Sequence, residues 1–160
     1  MAGPDAGFRW RVAVACDKAG ALHLAALTAD LRASRLVEQV VEATQAPVPY
    51  PEAALAAAEL VAAGHADRAL LVCHTGLGVC VAANKVAGIR AVTAHDAYSV
   101  EHAIRYTDAQ VLCLGQAIVP LDQARELVRL WLTLHFDPDT KAARRLAAIA
   151  AYEQRRSPTI

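Results

Sequence analysis

Residues 68–85 read RALLVCHTGLGVCVAANK, and this stretch constrains the fold more than any other part of the chain. A short apolar run, Ala69 to Val72, ends in Cys73 and leads into Thr75, Gly76 and Gly78, after which Val79 to Lys85 is helix-like. Strand, glycine turn and helix in that order leave backbone N–H groups unpaired and aimed at whatever lies above the turn. A thiol at the strand end beside such donors can remove a proton while the donors hold the resulting oxyanion. The plain alternative for Cys73 is a buried thiol filling the sheet edge, which is how most reduced cysteines are used.

The same reading extends along the chain. Trp10–Cys16 is a buried strand, followed by the turn Asp17–Gly20 and a helix to about Ala33 with Leu22, Leu24, Leu27 and Leu31 as its apolar face. Leu36–Val41 is a second strand, and Thr44–Pro51, with prolines at 47, 49 and 51, is expected to be an extended loop. A helix over Glu52–Ala63, strands at Ala69–Val72, Ile89–Ala94 and Val111–Leu114, and a helix over Ala97–Tyr106 follow. Pro120 opens a helix to about Phe136, and a last one spans roughly Thr140–Glu153. Strands alternating with helices predict an α/β, Rossmann-like three-layer fold: a five-stranded parallel sheet with helices on both faces. Residues 1–160 are expected to form a single domain, with a core of about 10–153 and tails at 1–9 and 154–160. In such sheets ligands bind beyond the carboxyl ends of the strands where the strand order reverses. Asp17, Cys73 with Thr75, and His95 with Asp96 all follow strands and so collect on that edge.

Charge narrows the function classes. Lys plus Arg and Asp plus Glu are 16 each, without the basic excess that nucleic acid or an anionic membrane surface calls for. No apolar stretch approaches the ~20 residues of a membrane span, and the opening MAGPDAGFRWRV lacks a signal-peptide layout, which reads as cytoplasmic. Hydrophobic residues make up 56% of the chain, much of the excess being alanine, and surplus apolar surface is often buried between subunits. Cys16, Cys73, Cys80 and Cys113 show no metal-type spacing, so no metal is expected.

Gly76-x-Gly78 lacks the third glycine of a dinucleotide fingerprint and the Gly-Lys-Ser/Thr of a P-loop, which excludes both nucleotide readings. Asp96 before Ala97 is read as a helix N-cap, while His95 stands between an acid–base role and a structural one. His23, His65, His102 and His135 have no partner pattern. Lys141, Arg144 and Arg145 form either a solvated helix face or an anion site.

The motifs DKAG (17–20), YP (50–51), LVCHTGLGVCVAANK (71–85), GIRAVTAHDAYS (88–99), TDAQVLCLGQ (107–116) and KAARRLAAI (141–149) resemble type B ribose-5-phosphate isomerases and galactose-6-phosphate isomerase subunits, from about Val12 to Glu153. FDPDT (136–140), AAYE (150–153), TAHD and LCLGQ look closest to the branch acting on four-carbon erythrulose phosphates. The resemblance implies an aldose–ketose isomerase of a small phosphorylated sugar, working through a cis-enediol without metal or organic cofactor. Ribose 5-phosphate/ribulose 5-phosphate and erythrose 4-phosphate/erythrulose 4-phosphate are the expected pairs. It also implies a homodimer or tetramer with sites between subunits. At matching positions it makes Cys73 the catalytic base, and Asp17, Thr75 and His95 the residues that handle hydroxyls and open the ring. The backbone of Thr75, Gly76, Leu77 and Gly78 becomes the anion hole. An alternative family base, a glutamate, would fall at position 79, where this chain has Val79.

The chain departs from the family pattern around the phosphate. Lys18 replaces a histidine, His74 a glycine, Ala117 an arginine and Ala142 a histidine. Phosphate binding then falls to Lys18, Lys141 and Arg145, with fewer bidentate donors than a set of arginines provides, and His74 either narrows the turn or adds a proton donor. A non-catalytic partner subunit and a sugar-phosphate-binding regulator are the alternative readings that this thinned set allows.

Overall fold

The computed structural model describes residues 7–156. Its elements are β1 (Trp10–Cys16), a 3-10 turn (Lys18–Gly20), α1 (Ala21–Ala33), β2 (Val37–Glu42), α2 (Tyr50–Ala62), β3 (Arg68–Cys73), α3 (Leu77–Ala83), β4 (Ala91–Thr93), α4 (Ala97–Thr107), β5 (Val111–Gly115), α5 (Leu121–Thr133) and α6 (Lys141–Arg156). All strand pairs are parallel, and the order across the sheet is β2-β1-β3-β5-β4. This is the α/β fold expected from the alternation of strands and helices.

Side chains alternate across the sheet and create two cores. Val12 and Val14 of β1, Leu70 and Val72 of β3, and Leu112 and Leu114 of β5 meet Leu24, Leu27 and Leu31 of α1, Ile104 of α4 and Trp131 of α5. On the opposite face Ala13, Ala15, Ala69, Leu71, Cys73 and Cys113 meet Ala53, Ala54, Ala57 and Ala58 of α2 and Val79 and Ala83 of α3. Alanine on both sides of that second interface brings α2 close to the strands, which accounts for much of the alanine excess. α6 stands apart: Ala142 is its one buried residue, and Glu153 Oε2 accepts a hydrogen bond from Gly88 N at 2.9 Å.

Several boundaries differ from expectation. Tyr50 and Pro51 belong to α2 rather than to an extended loop, because a helix's first turn has no N–H to lose to proline. β4 is three residues long, since Asn84 takes over its entry: Asn84 Oδ1 accepts from Ala91 N at 2.8 Å and Nδ2 donates to Ala91 O at 2.9 Å. Leu22 does not join the apolar face of α1; it is 77% exposed, and Thr28 is buried on that face instead. α5 ends at Thr133, and α6 runs on through residues expected to be tail, as far as Arg156. No helix among the described residues is long and apolar enough to cross a membrane.

Candidate active site

β1 and β3 lie side by side, with β2 beyond one and β5 beyond the other, so the chain's winding reverses between them. The loops after β1 and β3 therefore open on the crevice where this class of sheet binds ligands. Gly20 brings the two loops into contact. A methyl group there would lie 2.2 Å from the carbonyl oxygen of Val72, so only glycine lets the first turn lie against the end of β3. Asp17 precedes that turn, and its Oδ1 accepts from Gly20 N at 3.1 Å. Lys18 is exposed on the same turn.

Cys73 ends β3 and is 4% exposed. Its sulfur accepts a hydrogen bond from Gly76 N at 3.2 Å, while Thr75 Oγ1 accepts from Leu77 N at 3.3 Å. The chain doubles back because Gly76 is left-handed, with φ +77°, a conformation that costs a side chain-bearing residue roughly 1–2 kcal/mol. Thr93 Oγ1 pins the turn from β4 by donating to Gly76 O at 2.7 Å. Two of the four N–H groups expected to form an anion hole, those of Gly76 and Leu77, are thus turned onto the site's own sulfur and hydroxyl. An incoming oxyanion competes for donors already collected in one place.

The loop after β5 closes the other side. Gln116 N donates to Cys73 O at 2.9 Å and Ala117 N to His74 O at 3.0 Å, so His74, exposed next to Cys73, sits against Ala117, which stands where the family pattern has an arginine. Gln116 Oε1 accepts from His23 N at 2.9 Å, and His23 Nε2 lies 2.7 Å from Val119 O. His23 therefore belongs to the site's framework, although nothing in its sequence context marked it. Tyr50 was missed as well: its ring is packed on Gly78, where an added methyl would lie 2.9 Å from a ring carbon. The YP motif was the only sign of it.

His95 follows β4, and its Nε2 accepts from Gly115 N at 3.0 Å. That bond places the imidazole proton on Nδ1. Burial pulls the His95 pKa below the usual 6.5, and the nearby Asp96 opposes it only in part. Asp96 caps α4 as expected, with Oδ1 accepting from Ser99 N at 2.8 Å. Because the folded state favours neutral His95, its contribution to stability is present above pH 6.5 and is lost as pH falls through the lowered folded value. Protonation also removes the lone pair that holds Gly115. Turnover and melting temperature should both decline on the acid side of 6.5, and His95→Gln, which keeps an acceptor that does not titrate, should flatten that limb. A pH profile of kcat unchanged by the substitution would assign the limb to another group.

Lys141 and Arg145 are exposed on α6, and no hydrogen bond or ion pair ties them to the Cys73 turn of the same chain. The structure thus brings the loops that carry Asp17, Lys18, Cys73, His74, Thr75, Gly76, Leu77, Gly78 and His95 together at the carboxyl ends of β1, β3 and β4, and ties neither Lys141 nor Arg145 of α6 to them. Among the described residues, no three His, Cys, Asp or Glu side chains are arranged to hold a metal ion.

The family model described as Ribose/Galactose Isomerase matches residues 12–149. The chain belongs to this family. It is 50% identical over 153 residues to D-erythrulose-4-phosphate isomerase 2 of Mycolicibacterium smegmatis, covering 96% of this chain and 95% of that protein. Ribose-5-phosphate isomerase B of Escherichia coli is 36% identical over 149 residues, covering 92% and 99%. The type B ribose 5-phosphate isomerase of Leishmania infantum superposes with a TM-score of 0.86 at 27% identity, covering 94% of this chain and 100% of that one. The enzyme from Clostridium thermocellum, ribose-5-phosphate isomerase B, gives 0.86 at 32% identity, covering 92% and 99%. As a Ribose/Galactose Isomerase family member the chain is a sugar-phosphate aldose–ketose isomerase, and the crevice between β1 and β3 is the place in it to look for that chemistry.

Proposed function

We propose that the enzyme interconverts erythrulose 4-phosphate and erythrose 4-phosphate through a cis-enediol. The observation that carries the reading is the Cys73 thiol, buried at the switch point with its sulfur facing the Gly76 N–H. Half-identity to a D-erythrulose-4-phosphate isomerase supports the four-carbon substrate. Cys73 removes the proton from the carbon beside the carbonyl and returns it to the neighbouring carbon. The enediolate oxygen takes over the donors of the Thr75–Gly78 turn, each worth roughly 2.7–4 kcal/mol by analogy with other oxyanion holes. Thr75 and Asp17 position hydroxyls, and His95 Nδ1–H exchanges a proton between the two oxygens. A tetrose phosphorylated on O4 has no hydroxyl placed to close a five-membered ring, so no ring opening is needed. Initial rates on tetrose, pentose and hexose phosphates test this: the highest kcat/KM is expected for the four-carbon pair. Ribose 5-phosphate as the preferred substrate would favour the second reading, which similarity to ribose-5-phosphate isomerase B supports.

Phosphate is held by Lys18 and His74 from one chain and by Lys141 and Arg145 from a partner subunit. The separation of α6 from the Cys73 turn supports this, as do the exposed side chains of Tyr98 and Tyr106 on α4 and Ile149 and Tyr152 on α6. Arg145→Ala should raise KM at least tenfold with kcat changed less, as expected for a contact to a non-reacting group. Mixing inactive Cys73→Ser with Arg145→Ala under conditions of subunit exchange should restore about a quarter of the sites, those combining both intact residues in mixed dimers. No recovery on exchange would place both residues in one chain's site.

A further inference from the structure

α1 begins without a cap of its own. Gly20 is its N-cap residue and offers no side-chain bond to the free N–H groups of the first turn. Serine, threonine, aspartate and asparagine are the usual N-caps because their side chains take one of those N–H groups. None of them fits here, since even a methyl group on Gly20 would lie 2.2 Å from Val72 O. The close approach that lets the first loop lie on the end of β3 therefore deprives α1 of its own cap.

Gln116 supplies what Gly20 cannot. Its Oε1, 93 residues along the chain, accepts from His23 N in that first turn at 2.9 Å. The His23 ring adds a second tie, donating through Nε2 to Val119 O at 2.7 Å. Gln116 is itself fixed at its backbone. Gln116 N donates to Cys73 O at 2.9 Å, Ala117 N to His74 O at 3.0 Å, and Ile118 N and Val119 N both donate to Gly115 O at 3.0 Å. One half-buried glutamine thus holds the start of α1 with its side chain and the end of β3 with its main chain. Among the described residues no hydrogen bond joins the Asp17–Gly20 turn directly to the turn that runs from Cys73 to Gly78.

We propose that Gln116 is a positioning residue for the isomerisation, setting the turn that carries Asp17 and Lys18 at its working distance from the Cys73 thiol. The proposal rests on the reading of Cys73 as the base and of Asp17 as a hydroxyl contact. Both Asp17 and Lys18 lie just before the helix that Gln116 caps, so a shift of α1 moves them relative to the sulfur. Proton transfer between adjacent carbons needs the substrate held closely against the base, and misplacement by about 1 Å costs on the order of 10²-fold in rate. The flexible lysine side chain can follow the phosphate through such a shift. The loss therefore belongs in kcat more than in KM.

The test compares two variants of the whole protein. Gln116→Met keeps the length of the side chain and removes its acceptor, while Gln116→Glu keeps an acceptor at the same reach and suits the positive end of a helix. Gln116→Met should lower kcat about tenfold or more, with KM changed less and the melting temperature lowered only slightly. Gln116→Glu should recover most of that loss. A role in packing alone predicts the reverse order, because methionine fills the same space without a charge. Amide hydrogen exchange followed by NMR, which needs no turnover, should show the His23 N–H losing protection in Gln116→Met and keeping it in Gln116→Glu. Parent-like kcat in Gln116→Met, a loss that Gln116→Glu does not repair, or a His23 amide equally protected in both would each overturn the proposal. Parent-like turnover in Cys73→Ser would instead overturn the base assignment beneath it, with the Gln116 and His23 results unaffected, so the two failures are told apart.

Discussion

Cys73→Ser is expected to lower kcat by at least the ~10²-fold typical of a general base, with KM and melting temperature close to the parent's. Serine is nearly isosteric with cysteine, and its oxygen can still accept the Gly76 N–H that now meets the sulfur at 3.2 Å. The turn and the crevice should therefore survive the change, while the hydroxyl is far too weak an acid to cycle as a carbanion base. The neighbourhood offers little replacement. Val79, where a rival glutamate would have fallen, is completely buried among the aliphatic side chains under α3. Exchange of solvent deuterium into the carbon-bound position of the substrate should be measured beside turnover, since it reports the proton transfer even if product release limits the rate. Parent-like exchange and turnover in Cys73→Ser would reduce Cys73 to packing and move the base to His74, exposed next to it, or to His95.

The outline of this site was legible because its parts are local in sequence. A buried strand bounded by turn residues can be read from a few positions, and Trp10–Cys16 appears with those limits in the structure. The Cys73 turn is equally local: strand end, thiol and two glycines lie within six residues. What was not legible depends on neighbours distant in the chain. Periodicity carries no record of which strands pair, so nothing marked that β5 lies between β3 and β4 and brings Gly115 and Gln116 to the Cys73 turn. Asn84 reads as one residue of a helix end, yet its amide replaces ladder bonds at the start of β4. Leu22 fits an apolar pattern but faces outward, because α1 starts with its first turn already beside the crevice. Lys141 and Arg145 matched an anion-binding pattern, and their place on the outlying α6 is set by packing against α4 and the Gly88 loop.

Gly115 is the test of how tightly these distant pieces are fitted together. It ends β5 opposite Cys73, and a methyl group on it would lie 2.5 Å from the carbonyl carbon of Thr75 and 2.7 Å from its Cα. Those atoms are backbone, so no side-chain rotation relieves the overlap; Thr75 and the turn it begins must move. Gly115→Ala should therefore cost about 1–3 kcal/mol of stability, as overpacking of a filled interior does. Catalysis should suffer more than folding: a displacement on the order of 1 Å at a reacting group lowers rates by ~10². The His95 bond to Gly115 N should loosen with it, shifting the acid limb of the pH profile. Gly64→Ala is the matched control, because Gly64 has φ +75° but open space around it. It should lose about 1–2 kcal/mol to backbone strain and keep full activity. If Gly115→Ala loses stability but turns over like the Gly64 variant, the β5 loop supports the fold without positioning Thr75. A selective loss of kcat instead makes the approach of Gly115 to Thr75 part of how the thiol and the anion turn are held in register.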